Sequence, residues 1–170
     1  VLTGIDYDLK GQALEALADH LARAGAPYPH RLVLRPNTGV QTGRDLDGNG
    51  QIHDPRDAQG WGRFAGEGGV ALLSRTPAQD VVRNIPGFDD AQARVIAGTV
   101  DGVRVIGGYF PNGQAPDSDK FEYKMRWQDA LHDWVQGELT RHPSLVLMGD
   151  FNVAPEDRDV YDPVAWAGQI

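Results

Sequence analysis

A cation, a phenol and a carboxylate occur close to the ends of three β-rich runs, at Arg94, Tyr109 and Asp150. Such groups at one edge of a sheet are suited to an anionic substrate with a water molecule or a metal ion beside it. The alternative is structural: a solvated arginine, a tyrosine at a sheet rim and an aspartate that only caps a turn. The choice depends on whether the predicted elements bring the three side chains together.

A β-hairpin is predicted from the runs Ala93–Val100 and Val103–Phe110. Asp101-Gly102 separates them, and Asp-Gly is a strong hairpin signal because a type I′ turn needs a positive φ at both of its central positions. A two-residue loop fixes the register of the two strands. Arg94 is then expected to face Tyr109 on the same side of the sheet.

The second strand of this hairpin also begins a β-α-β unit over residues 103–148. A helix over Asp119–Arg141 connects it to the apolar run Ser144–Met148, which we expect to be a buried strand. Strands joined in this way are parallel, with a right-handed crossover, so their carboxyl ends share one rim. That rim carries Tyr109 and Asp150, and ligands of open α/β sheets bind at such rims.

The long predicted helix has clear ends and a clear apolar face. Asp119 with Glu122 forms a capping-box pattern, and Pro143 follows the last turn. Two tryptophans on the apolar stripe, Trp127 and Trp134, are most simply explained as core residues. The other predicted elements are a helix over 11–24 with Gly25 as its stop, strands Arg31–Arg35 and Gly69–Ser74, and an irregular stretch over 36–67.

An acidic loop in the irregular stretch matches the first eight positions of a calcium-binding loop. Asp45, Asp47 and Asn49 provide oxygen ligands at positions 1, 3 and 5, and Gly50 follows at position 6. Position 12, however, is Arg56 instead of glutamate. The loop is therefore either a calcium site or an Asp/Asn/Gly turn whose side chains are satisfied by its own backbone.

Composition limits the classes of protein. A chain of 170 residues fits one domain over 1–170 and can bury a core, and the lack of cysteine excludes disulfides, a cysteine nucleophile and a thiolate metal site. The net charge of −8 lies mostly in residues 76–170. On composition alone this charge argues against DNA as a partner, but it excludes neither a local basic groove nor a metal site that needs carboxylates. No apolar run approaches the roughly 18 residues of a membrane span. The first residues show no charged-then-apolar leader pattern and are instead expected to end a strand.

In the second half, six short segments occur in a definite order and spacing. They are Gly69–Arg75, Ala93–Ile96, Tyr109–Gly113, Ser118–Phe121, Gly149–Pro155 and Asp157–Val160. Gly149-Asp150-Phe151-Asn152 alone is a modest signal, but the ordered set is specific. Over about residues 66–168 the chain resembles bacterial exodeoxyribonuclease III, an abasic-site endonuclease and 3′ exonuclease of the endonuclease/exonuclease/phosphatase superfamily.

The first half is similar to a different branch of the same superfamily. The segments Asp6–Asp8, Arg35–Gly39, Asp45–Gly50 and Gly60–Phe64 resemble bacterial hydrolases whose substrates are poorly defined. The change of branch falls near residues 66–75. It predicts a mosaic chain, whether a natural recombinant, a chimera or a design.

The resemblance implies a four-layer α/β sandwich, here a partial one, that hydrolyses a phosphodiester of abasic DNA with Mg²⁺ or Mn²⁺. In the family, the residue matching Asp150 orients or deprotonates the attacking water. Residues matching Asn152 and Tyr109 position the water and contact the scissile phosphate. The resemblance of the second half also implies a cytoplasmic location. Three further positions match residues that contact the DNA backbone or the metal-site network: Arg94, Asn112 and Lys120.

Some expected family residues have no counterpart. Gly4 stands where the family has a metal-binding glutamate, with Asp6 or Asp8 as candidate substitutes. No Ser-Asp-His segment occurs, and the Asp19-His20 pair falls in the first predicted helix. We therefore expect a metal-dependent phosphodiester hydrolase scaffold that is weakly active or inactive. The alternatives are a non-enzymatic chimeric or designed α/β domain, and a phosphatase or phosphodiesterase for small anionic substrates.

Overall fold

The computed structural model describes residues 1–6, 10–36, 38–60, 62–90, 92–113, 116 and 118–167. Within these ranges, strands and helices alternate along the chain. In chain order they are β1 (Leu2–Ile5), α1 (Gln12–Arg23), β2 (His30–Leu34), β3 (Gly69–Ser74), β4 (Gln79–Arg83), β5 (Val95–Val100), β6 (Val103–Tyr109), α2 (Asp119–Arg141), β7 (Leu145–Asp150) and α3 (Pro163–Trp166), with a 3₁₀ turn at Asp157–Asp159 before α3.

Two sheets pack face to face, which confirms the predicted layered α/β architecture. One sheet has the order β1-β3-β2 and is antiparallel, and the other has the mixed order β4-β5-β6-β7. Val70, Leu72 and Ile96 form the buried core between them. Alternation along β5 sends Val95 and Ala97 to the opposite face, where they form a second core with α2. Burial on both faces explains why the sequence of β5 is largely apolar and does not alternate with polar residues.

Helix α1 lies on the outer face of the first sheet. Arg31 of β2 forms an ion pair with Glu15 of α1, and it alternates along the strand with Leu32, which faces the core between the sheets. The layers are therefore helix, sheet, sheet and helix. Leu14 and Ala18 are buried on α1, and Gly25 follows its end with a φ of 83°, as the sequence predicts.

The hairpin forms with the predicted register. Val100 pairs with Val103 and Val95 with Gly108. Asp101 and Gly102 have φ values of 49° and 80°, as a type I′ turn requires. The crossover to β7 is parallel, so the predicted β-α-β unit is also confirmed.

Helix α2 has the predicted bounds, but its N-terminal cap is different. Ser118, rather than Asp119, is the capping residue: it has an extended backbone, and its hydroxyl accepts a hydrogen bond from the Phe121 N–H at 3.1 Å. Asp119 already belongs to the helix, so its side chain cannot take this role. Trp127 is fully buried and Trp134 packs against the same core, as predicted.

Two strands differ from the sequence prediction. β7 ends at Asp150 instead of Met148 and is not a buried strand: Met148 is 37% exposed. β7 is the last strand in the sheet of described residues, so it has one neighbour instead of two. β4 was not predicted because its residues are mostly polar and its pairing with β5 shifts register between Gln79 and Val82. No helix in the described ranges is long and apolar enough to cross a membrane.

Candidate active site

Two adjoining cavities lie at the carboxyl ends of β6 and β7. The first is a cleft of about 380 Å³, and the second is a groove of about 840 Å³ along the turn that follows β7. Asn112 and Asn152 line both, whereas Asp150 and Lys124 line only the groove. The remaining residues of the cleft are Gly4, Asp6, Thr38, Gly60, Glu67, Gly68, Arg94, Tyr109 and Phe110.

Tyr109 and Asp150 meet at the predicted rim. They are register partners in the parallel pair of β6 and β7, and paired residues on neighbouring strands project to the same face of a sheet. Asp150 is exposed and Tyr109 is half-buried. The structure therefore brings the carboxylate and the phenol to one edge, with Asp150 on the groove side and Tyr109 on the cleft side.

Arg94 contacts Tyr109 through both backbone and side chain. The Tyr109 N–H donates to the Arg94 carbonyl at 2.9 Å, and a terminal nitrogen of Arg94 donates to the Tyr109 carbonyl at 3.0 Å. The guanidinium carbon is 5.6 Å from the centre of the Tyr109 ring and 6.0 Å from that of Tyr123. Its Nε is buried and has no hydrogen-bond partner among the described residues. The side chain is thus held as a fixed cation at the cleft.

A hydrogen bond behind Arg94 was not anticipated from the sequence. The Tyr123 hydroxyl lies 3.0 Å from each carboxylate oxygen of Asp90. Burial raises the pKa of Tyr123 well above its usual range; the Asp90 carboxylate raises it further, while the charge of Arg94 opposes this. Tyr123 therefore stays protonated, and its ring forms one wall against the guanidinium.

The turn after β7 is bonded onto the neighbouring strand and helix. Asn152 has a φ of 47°, and its backbone N–H donates to Asp150 Oδ1 at 3.0 Å. Its Nδ2 donates to the Phe110 carbonyl at 2.8 Å, and Lys124 Nζ donates to the Asn152 carbonyl at 2.7 Å. Asp150 Oδ2 and Asn152 Oδ1 accept no hydrogen bond from the part of the chain that the structure describes, so both oxygens remain available for water or substrate.

Two acidic residues line the cleft, Asp6 after β1 and Glu67 in the loop that precedes β3. Asp6 Oδ1 accepts the Gly68 N–H at 3.2 Å, and Glu67 Oε2 accepts the Arg63 N–H at 2.7 Å. Gly4 lies beside them with a φ of 68°, and a Cβ at this position would meet nothing within 4 Å. The sequence singled out Gly4 and Asp6. Glu67 was missed, because a glutamate between two glycines gives no periodic signal.

The acidic loop contains a cluster that differs from the predicted one. Asp45, Asp47 and Asp57 offer carboxylate oxygens within 4.8 Å of one another, and this is the one group of three acidic or histidine side chains so closely placed within the described ranges. Asp57 was not predicted as a member; it is fully buried and accepts the Leu46 N–H at 2.8 Å. Asn49 lies in the loop, where its side-chain amide donates to the Asp47 carboxylate.

Internal bonds already satisfy much of this loop. Asp45 accepts the N–H groups of Gly48 and Gly50, and the Gly50 bond is the main cause that lowers its pKa. Arg56 forms ion pairs with Asp47 and Asp54 at 2.8 and 2.9 Å and lowers the pKa of Asp54 to about 2. This arrangement matches the turn interpretation, and calcium binding stays a prediction.

Some of the remaining predicted residues line the cavities, and others lie outside them. Asn112 is exposed and lines both cavities, whereas Lys120 is exposed in the first turn of α2 and lines neither. Asp8, named as a substitute metal ligand, lies outside the described residues. The acids over 156–162 serve local turns: Glu156 and Asp159 form the capping box of the 3₁₀ turn, and Asp162 caps α3.

The fold agrees with that of known proteins. The model of the Endonuclease/Exonuclease/phosphatase family matches residues 2–169, and the chain belongs to that family. Among curated proteins, exodeoxyribonuclease III of Haemophilus influenzae is 32% identical over 56% of this chain and 38% of its own length. The exodeoxyribonuclease of Bacillus subtilis is 30% identical over 69% of this chain and 48% of its own. The chain thus spans less than half of each relative.

Solved structures show the same likeness over nearly the whole chain. The 3′-5′ exonuclease NExo of Neisseria meningitidis superposes with a TM-score of 0.66 and 42% identity, over 92% of this chain and 59% of its own. A 3′ phosphatase NExo from Neisseria, solved with a product DNA hairpin, superposes with a TM-score of 0.67 and is 37% identical, over 97% of this chain and 62% of its own. An AP endonuclease from Archaeoglobus fulgidus shares the fold. It is 24% identical and superposes with a TM-score of 0.64, over 96% of this chain and 61% of its own.

These matches do not support the predicted mosaic. One family model and one solved relative each run through residues 66–75, where the branch was expected to change. In the structure this segment enters β3, the central strand of the first sheet, which packs against both β5 and β6. The two halves therefore share one core.

Proposed function

We propose that this chain is a metal-dependent hydrolase of DNA phosphate esters, of the exodeoxyribonuclease III type, with abasic duplex DNA as its first substrate. The observation that supports it best is the Asp150–Asn152 turn, bonded to β6 next to Arg94 and Tyr109. It places a carboxylate that can activate water at the same edge as a cation and a phenol that can bind a phosphate.

Each group has a distinct role in the proposed reaction. Asp150 Oδ2 orients and deprotonates the attacking water, and Asn152 Oδ1 fixes that water next to the phosphorus. Tyr109 and Arg94 contact the phosphate oxygens, where negative charge increases as water adds. Arg94 suits this role because its guanidinium is already fixed against two aromatic rings and does not have to be ordered on binding.

Mg²⁺ or Mn²⁺ is part of this proposal. Magnesium is commonly held by one or two carboxylates together with water and substrate oxygens, and Asp6 and Glu67 fit that pattern because each keeps one carboxylate oxygen without a described donor. The ion would neutralise charge on the phosphate in the transition state. Gly4 adds no third carboxylate, so we expect slow turnover.

Hydrolysis of three substrates tests the proposal: an abasic duplex, a duplex with a recessed 3′ end and p-nitrophenyl phosphate. We expect cleavage of DNA with Mn²⁺, none with EDTA, and a loss of about 100-fold or more in kcat for Asp150→Asn. The matched control is Asp133→Asn, whose carboxylate is exposed on α2 and lines neither cavity. Cleavage that persists in Asp150→Asn would contradict the assignment.

The names of the relatives support DNA ends as a second substrate. The neighbours with 42% and 37% identity are a 3′-5′ exonuclease and a 3′ phosphatase bound to a DNA hairpin. The recessed duplex separates this activity from incision at an abasic site. Turnover of p-nitrophenyl phosphate alone, insensitive to salt, would instead indicate a phosphatase for small anionic substrates.

A further inference from the structure

Lys124 is a buried cation beside the candidate active site. Its side chain leaves α2 on the face that packs against the second sheet, three residues before the fully buried Trp127, and Lys124 is only 5% exposed. A buried ammonium group usually has a carboxylate partner. Among the described residues no carboxylate pairs with it, and burial lowers its pKa.

The hydrogen bond that Lys124 does make goes to the proposed site. Its Nζ donates to the backbone carbonyl of Asn152 at 2.7 Å. Asn152 is in a left-handed conformation, which asparagine adopts more readily than most residues with a side chain. Its other bonds run to Asp150 Oδ1 and to the Phe110 carbonyl. Lys124 therefore holds one side of the turn, and Phe110, directly after β6, holds the other.

We propose that Lys124 is a positioning residue: its buried ammonium group holds the Asn152 carbonyl and so fixes the directions of the Asp150 carboxylate and the Asn152 amide. The kinetic part of this inference rests on the proposed function, whereas the structural part does not. Because the ammonium group is placed against a neutral carbonyl, the charge does not serve to balance a buried carboxylate. It serves to hold the turn through a strong, charge-assisted hydrogen bond.

Packing alone is the competing explanation, and it makes a different prediction. A lysine that only fills space on the buried face of α2 can be replaced by methionine, which has a similar length and apolar stem, with little effect on the turn. A lysine that holds the Asn152 carbonyl cannot. Residue 126 provides the matched control, because Arg126 lies two residues further along α2 and is exposed.

The experiment compares Lys124→Met with Arg126→Met by hydrogen exchange of assigned amides and by hydrolysis of abasic and recessed duplexes with Mn²⁺. We expect the Asn152 backbone and side-chain amides to lose about tenfold or more of their protection in Lys124→Met only. We also expect kcat to fall about 10- to 100-fold with KM unchanged, as for residues that orient active-site ligands. Lys124→Arg keeps a donor and a charge and should restore the protection.

The two readouts separate the inference from the proposed function. If the wild-type chain hydrolyses none of the substrates, the proposed function is wrong, and exchange at Asn152 still decides the role of Lys124. Unchanged Asn152 exchange in a folded Lys124→Met variant would overturn the inference, as would a rise in KM without a fall in kcat. Should the methionine variant not fold, loss of Asn152 protection in Lys124→Arg overturns it and retention supports it.

Discussion

Tyr109 and Asp150 are register partners at the carboxyl ends of the neighbouring parallel strands β6 and β7. The distance between the phenol and the carboxylate is therefore set by the sheet and not by a loop. A site built on strands is more precisely held than one built on loops. It follows that a change in the pairing of β7 should affect the chemistry without removing any functional side chain.

Gly149 provides that test. Its φ is 151°, and a Cβ at this position would lie 1.8 Å from the Gly108 carbonyl oxygen. Gly149→Ala should push the end of β7 away from β6, destabilise the chain by about 1–3 kcal/mol or more, and lower kcat. The control is Gly137→Ala in α2, where a Cβ meets nothing within 4 Å and alanine should stabilise by about 0.5–1 kcal/mol. Thermal unfolding and DNA cleavage measure both; equal Tm values for the two variants would contradict this account.

The support behind Arg94 makes a second prediction. Tyr123→Phe keeps the ring against the guanidinium but removes the hydrogen bond to Asp90. The ring is then no longer anchored by Asp90 and holds the guanidinium less firmly. KM for DNA should therefore rise by up to about tenfold, which corresponds to roughly 1.4 kcal/mol, with a smaller effect on kcat. Tyr161→Phe is the control because Tyr161 is fully exposed. The idea fails if KM and the NMR signal of Arg94 Nε both stay at their wild-type values.

The rim at the carboxyl ends of β6 and β7 could be predicted from the sequence, because short local segments determine which residues meet there. Asp101-Gly102 favours a two-residue turn, the turn fixes the register, and the register places Arg94 beside Tyr109. The parallel crossover then adds Asp150. Each step depends on a short segment and a general rule of sheet geometry, so no knowledge of tertiary packing is needed.

Other parts of the site depend on tertiary contacts and could not be predicted. Asp57 joins Asp45 and Asp47 only after the loop folds back. Lys124 left a detectable signal, a cation on the apolar face of α2, but its partner lies 28 residues further along the chain. The burial of β7 was misjudged because a composition of apolar residues does not distinguish a central strand from an edge strand.

A buried ion pair joins the hairpin to α2 and yields a prediction about stability. Arg104 and Glu138 are 2% and 3% exposed and bonded to each other. Arg104→Met leaves the Glu138 carboxylate buried beside its remaining partners, Arg141 and His142. It should therefore cost more than an exposed pair but at most about 3–5 kcal/mol, the cost of a buried charge left without any partner. The exposed pair of Arg158 with Glu156 is the control, and Arg158→Met should cost at most about 1 kcal/mol. Urea unfolding compares them, and similar losses would show that burial does not set the energy.

The acidic loop should respond to acid at a defined pH. The pKa of Asp54 is lowered from 3.8 to about 2, chiefly by its hydrogen bond with Arg56. A lowered pKa in the fold means that the ionised form contributes stability that is present above about pH 4 and is lost as pH falls towards 2. Protection of the Gly48 and Asn49 amides, measured relative to the intrinsic exchange rate at each pH, should therefore fall over that interval. In Arg56→Gln the loss of protection should begin at higher pH; an identical profile would exclude Arg56 as the cause.

Gly4 is the position at which one added carboxylate should change the metal affinity of the cleft. It lines the cleft with Asp6, and a Cβ there has open space, although a φ of 68° disfavours any side chain. Gly4→Glu should lower Tm by a few degrees, since a left-handed residue of this kind costs about 1–3 kcal/mol, and should bind Mn²⁺ more tightly by calorimetry. Gly4→Gln carries the same backbone strain without the charge. If both variants bind Mn²⁺ equally, residue 4 does not face the ion, and Asp6 and Glu67 must hold it without help from this position.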